Sequence, residues 1–106
     1  MKIRYVRNSM VNSLLMGIPY RHKHIRMALS IDGLGILIFN EAVIAAIVRA
    51  YINIKTSPKK TAIYMTRKDG EWKEGFAKYQ LIEEEVDEET LRRKLKDMLN
   101  EVDSEN

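Results

Sequence analysis

His24-Ile25-Arg26-Met27-Ala28-Leu29-Ser30-Ile31-Asp32-Gly33-Leu34-Gly35-Ile36-Leu37-Ile38-Phe39-Asn40-Glu41 is the stretch on which the fold turns. Its first half alternates, with Ile25, Met27, Leu29 and Ile31 on one side of an extended chain and His24, Arg26, Ala28 and Ser30 on the other. Asp32-Gly33 supplies the positive φ that a tight hairpin needs, and the apolar run over 35–39 predicts a returning strand buried on both faces. Asn40 followed by Glu41 is a helix-capping signal, because a short polar side chain can satisfy orphan amides and an acid in the first turn complements the helix dipole.

The helix opened there, over 41–54, is apolar nearly all the way round and so calls for cover on more than one side. Ala42, Ala46 and Ala50 form a small stripe at i, i+4 spacing, and Ile44, Ile47, Val48 and Tyr51 form a bulky one. One face can pack on the sheet. The alanine face can approach a second helix closely, which predicts a symmetric homodimer through Ala42, Ala46 and Ala50 unless the C-terminal helix covers that face internally.

Working toward the N-terminus, residues 2–7 alternate, with Ile3 and Tyr5 opposite Lys2 and Arg4, and read as a first strand. Asn8 or Ser9 can cap a short helix in which Met10 or Val11 meets Leu14 and Leu15, stopped by Gly17, Ile18 and Pro19. Working toward the C-terminus, 55–60 is a polar linker with Ser57-Pro58, followed by a strand over 61–66, a Lys68-Asp69-Gly70 hairpin turn and a strand over 71–82. Asp87 then caps a helix with Leu91, Leu95, Met98, Leu99 and Val102 in one apolar stripe and Glu88/Arg92 and Glu89/Arg93 as i, i+4 ion pairs. The expected architecture is a single α+β domain over residues 1–102. It is mainly antiparallel sheet built from two hairpins, covered by a buried central helix and an amphipathic C-terminal helix, with 103–106 as a frayed acidic tail.

Charge is divided by position. Residues 1–80 hold 14 Lys/Arg against 5 Asp/Glu and residues 81–106 hold 4 against 10, inside a net charge of only +3. A basic body carrying an acidic terminal helix points to an anionic partner. At 106 residues the chain has room for one modest core, and without cysteine neither disulfides nor thiolate metal sites can hold it. No apolar run has the form of a signal peptide or the length of a membrane span, so the expected location is cytoplasmic with no membrane partner. The 31% charged content and single Gln80 fit a thermophile's composition.

Tyr20-Arg21-His22-Lys23-His24-Ile25-Arg26 gathers three fixed cations, two imidazoles and a ring into seven residues. Cations bind phosphate and an adjacent ring stacks on an exposed base. Lys59, Lys60, Arg67, Lys68, Lys73 and Lys78, interleaved with Tyr64, Trp72, Phe76 and Tyr79, could extend this surface along the second hairpin. Basic residues alternating with aromatics on strands suit a single strand better than a duplex, whose major groove calls for a polar basic helix. Against this stands the ordinary alternative of solvated lysines and core rings. His22 and His24 share a face if extended, but no third ligand is singled out, and no serine sits in a nucleophile motif.

Lys68-Asp69-Gly70-Glu71-Trp72-Lys73-Glu74-Gly75, between one strand and a strand-plus-helix, resembles the hairpin of the positive-cofactor-four family of single-stranded-DNA-binding coactivators, within a segment of residues 61–102. The resemblance implies curved antiparallel sheets with a dimerising C-terminal helix, and places Trp72, Lys73 and Lys78 on or near the strand-binding face. Ala62-Ile63-Tyr64-Met65 lacks that family's Ile-Arg pair. The expected function is non-enzymatic binding of single-stranded DNA or RNA without a cofactor. Arg21, Lys23, Arg26, Lys59, Lys60 and Arg67 would meet phosphate and Tyr20 or Trp72 would stack. The alternative is a small dimeric interaction or regulatory module with no nucleic-acid ligand, and a metal-assisted nuclease using His22 and His24 ranks last.

Overall fold

Three antiparallel strands form the first sheet in the computed structural model, which describes residues 2–70 and 77–105. They are β1 (Val11–Gly17), β2 (Arg26–Ile31) and β3 (Gly35–Asn40), in the spatial order β1-β2-β3. Helix α1 (Glu41–Thr56) follows, then a two-stranded antiparallel sheet of β4 (Tyr64–Asp69) and β5 (Tyr79–Glu84), and helix α2 (Glu88–Glu105) closes the chain. The fold is α+β, with α1 packed against β2 and β3 of the first sheet and β5 of the second, so that it joins the two sheets.

The alternating run became β2 and the apolar run β3, in a register that pairs Met27 with Phe39 and Leu29 with Leu37. The loop between them is Asp32-Gly33-Leu34, closed by Leu34 N–H donating to the Ile31 carbonyl at 3.0 Å. Gly33 at φ 83° and Gly35 at φ 92° hold left-handed conformations that a side chain would strain, although space around both is open.

Residues 11–17 are a strand where a short helix was expected. A helix of two turns is marginal by itself, and Val11, Asn12 and Ser13 are weak helix formers, whereas an extended segment gains a full ladder against β2. The register shifts between Val11 and Ser13, and the Asn12 side chain donates to Asp32 Oδ1 at 2.8 Å, tying the bulge to the hairpin loop. Residues 2–7 form no strand, because alternation without a pairing partner does not make a ladder, and a 3₁₀ turn at Asn8–Met10 leads into β1.

The second hairpin also differs from expectation. Lys68 and Asp69 pair with Gln80 and Tyr79 inside the ladder, so they form no tight turn; of the strand expected over 71–82, residues 71–76 lie outside the described residues and β5 begins at Tyr79. Strand β4 starts three residues later than read, at Tyr64, because Glu88 Oε1 accepts the Thr61 N–H at 2.8 Å and the Ala62 N–H at 3.4 Å. That carboxylate replaces the expected Glu88/Arg92 pair, while Glu89/Arg93 forms at 3.1 Å. Asp87 caps α2, with its Oδ2 accepting from the Thr90 N–H and hydroxyl at 3.1 Å each. The α2 backbone stays helical through Glu105, into the segment read as frayed.

Burial departs most from the sequence reading. Among the described residues the buried apolar side chains are Ile31, Ile44, Ala46 and Val102. On α1 the alanine stripe is the covered one, with Ala46 buried and Ala42 and Ala50 half-buried, while Ile47, Val48, Tyr51 and Ile52 face solvent. Of the stripe expected to meet a second chain, Ala46 is thus buried within its own chain, while Ala42 and Ala50 stay partly open. Strand β3, expected to be buried on both faces, exposes Ile36 and Ile38, and Leu95, Met98 and Leu99 leave the middle of the α2 stripe open.

Candidate nucleic-acid interface

Residues 18–25 join β1 to β2. Pro19 fixes one backbone angle, and the His22 N–H donates to the Pro19 carbonyl at 3.0 Å, closing a four-residue turn. Arg21 occupies its third position at φ 66°, the sole described non-glycine residue with positive φ. This turn leaves the Tyr20 side chain 99% exposed, with Arg21, His22 and Lys23 also in solvent.

The loop is anchored at its far end. Glu41, the first residue of α1, accepts the Ile25 N–H at 2.8 Å, and its second oxygen lies 3.5 Å from His24 Nδ1. The backbone hydrogen bond first, with His24 and Arg26 adding to it, holds the Glu41 carboxyl below its ordinary pKa against the opposing effect of desolvation. Arg26 Nη1 donates to the Ile25 carbonyl at 3.1 Å. Beside this anchor His24, Arg26, Glu41, Arg49, Ala77 and Gln80 line a cleft of about 450 Å³.

Two guanidiniums, Arg26 and Arg49, against one carboxylate, Glu41, give the cleft a positive balance. Arg49 was not singled out by sequence reasoning, although Glu41, Ala45 and Arg49 recur at i, i+4 on one helix face and Arg49 interrupts an apolar run. Gln80 brings the start of β5 to the cleft, so the first basic segment and one end of the second hairpin do meet.

The other end of that hairpin is different in character. Lys60 Nζ donates to Glu83 Oε2 at 2.6 Å, and this bond, ahead of the attraction of Glu83 and Glu88, raises the lysine pKa. Lys60 shares its surroundings with Glu84, Glu85, Asp87 and Glu88. Lys68 pairs with Glu84 at 3.0 Å, and Glu84 also accepts the Thr66 hydroxyl, both of which lower the Glu84 pKa. Six paired positions separate the Lys60 end from the Tyr79 end, roughly 17 Å of strand, so Lys59 and Lys60 do not join Arg26 in one site.

Near the cleft, Arg67 and Lys78 stand 5.6 and 5.5 Å from the centroid of the half-exposed Tyr79 ring, a cation and ring cluster that singles out Tyr79 among the aromatics interleaved on the second hairpin. Trp72 and Lys73, with the Glu71–Gly75 part of the hairpin resemblance, lie outside the described residues. His22 and His24 do not converge with a third ligand among the described residues, and His24 faces Glu41 instead. No described helix is long and apolar enough to cross a membrane. No family model, curated protein or solved structure matches this chain.

Proposed function

We propose that this chain binds single-stranded nucleic acid without catalysing a reaction, in the cytoplasm, in the manner that its hairpin's likeness to the positive-cofactor-four family suggests. The observation that carries this is the β1–β2 loop: a fully exposed ring at Tyr20, flanked by Arg21 and Lys23, in a loop whose far end at His24 lines the Arg26 and Arg49 cleft. A base stacks on Tyr20 while the backbone phosphates follow Arg21, Lys23, Arg26 and Arg49. Arg67, Lys78 and Tyr79 extend the path along β4 and β5.

The test is fluorescence anisotropy of a labelled single-stranded oligonucleotide, with duplex as competitor. Four phosphate contacts give a log K against log salt slope of about −3, a loss of roughly fiftyfold between 50 and 200 mM salt. Tyr20→Ala lowers affinity about ten- to hundredfold and leaves the melting temperature unchanged, since stacking contributes ~1–3 kcal/mol per base and the ring contacts almost nothing in the free protein. Absence of binding at low salt refutes the proposal. The second reading, a dimeric interaction module with no nucleic-acid ligand, is favoured by the apolar residues that the first sheet and α1 expose.

A further inference from the structure

One face of the first sheet leaves its large apolar side chains, Leu15, Ile36 and Ile38, in solvent. Cross-strand partners share a face, so the register Leu15–Ala28–Ile38 is a row across all three strands, and Ser13–Ser30–Ile36 is the next. Leu15 is 74% exposed, Ile38 68% and Ile36 66%. The large side chains stand on the outer strands, and the middle strand between them carries Ala28 and Ser30. The face is thus a shallow trough about 10 Å across, with the Ile36 and Ile38 ridge along one side.

Its surface is also too large for a finished monomer. A folded 12.4 kDa protein exposes about 6,100 Å², and this chain exposes 9167 Å², about 3,000 Å² more. Obligate dimers bury on the order of 1,000–2,500 Å² per chain, so the excess is enough for such an interface. The radius of gyration, 16.1 Å against about 13 Å for this length, agrees.

We infer that this face packs against the same face of a second copy, related by a two-fold axis, with the Ile36 and Ile38 ridge of each chain seated in the Ala28 and Ser30 trough of the other. A ridge and a trough on one surface are self-complementary, as an isologous contact requires, and sheets packed face to face meet about 10 Å apart. The rows at its centre carry no charge that would select an acidic or basic partner. Few apolar side chains are buried among the described residues, so a covered face adds much to the core, and the partner always present with the chain is another copy. The next row, Gly17–Arg26–Asn40, brings the interface to the mouth of the basic cleft. The inference rests on the dimeric reading and not on nucleic-acid binding.

The test combines light scattering with thiol protection on the full chain. The native sequence has no cysteine, so Ser30→Cys places a single reporter in the trough. The expected results are a mass of twice 12.4 kDa for the native chain, a folded 12.4 kDa species for Ile38→Glu, and slow labelling of Ser30→Cys that becomes fast on dilution. Lys96→Cys, on exposed α2 surface, labels fast throughout and serves as the control. Should Ile38→Glu fail to fold, the Ser30→Cys labelling decides alone. A native monomer at all concentrations overturns the inference, as does a dimer with Ser30→Cys unprotected, which would put the contact elsewhere. Protection by a co-purifying protein of a different mass overturns it equally.

Discussion

Arg21 offers a substitution whose two consequences separate cleanly. At φ 66° an L side chain is strained by about 1–2 kcal/mol, and glycine removes that strain while losing about 0.5–1 kcal/mol more backbone entropy on folding. Arg21→Gly is therefore expected to stabilise the fold by about 0.5–1 kcal/mol, roughly 2–8 °C in melting temperature for a domain of this size. Arg21→Ala keeps the strain and leaves stability where it was. Both variants delete the same cation, so both should flatten the salt slope for a single strand by about 0.7. Urea unfolding and anisotropy titrations over 50–200 mM salt measure the two effects on the same preparations. If Arg21→Gly is no more stable than Arg21→Ala, the turn does not hold residue 21 left-handed in solution. If neither changes the salt slope, Arg21 does not meet phosphate.

Ile31→Ala, at a site 5% exposed, should cost about 2–5 kcal/mol at any protein concentration. Ile38→Ala, at a site 68% exposed in the single chain, should cost under about 1 kcal/mol in a monomer and several times that in the dimer, so its melting temperature should fall with dilution. Because the Glu41 pKa is depressed by folding, its stabilising contribution is present above the unfolded carboxylate value and is lost as pH falls through the lower folded value. The urea midpoint should decline from about pH 5 downward, and Glu41→Gln should remove that part of the decline. Asp87→Ala removes the α2 cap and should cost about 1 kcal/mol, read as a lower urea midpoint with an unchanged slope.

The legible parts of the fold were those where local pattern and tertiary outcome agree. Period-two alternation over 25–31, an Asp-Gly step and an Asn-Glu step marked β2, β3 and the start of α1 in order, although the Asn40 side chain makes none of the capping hydrogen bonds expected of it. Val11 to Gly17 was not legible, because apolar residues at 11, 14 and 15 suit a helix as well as a strand and the ladder with β2 decides between them. Burial was hidden for a related reason: periodicity divides α1 into an alanine stripe and a bulky stripe without saying which one the sheets cover. Within the site, Tyr20, Arg21, Lys23 and Arg26 are close in sequence and were found together. Arg49 was missed because 23 residues separate it from Arg26, and Lys60 was included because its neutralising partner, Glu83, lies 23 residues further on.

The meander β1-β2-β3 occupies residues 11–40 and joins only neighbours in sequence. Short-range contacts of this kind form early, because little loop entropy has to be lost before they close. The sheet can therefore assemble while the rest of the chain is still being made, and it then displays Leu15, Ile36 and Ile38 to water. Until that face is covered, every copy is an adhesive intermediate, open to correct pairing and to clumping alike. Refolding from denaturant should accordingly show a fast unimolecular phase followed by a second-order one, and the yield should depend on how quickly two copies meet.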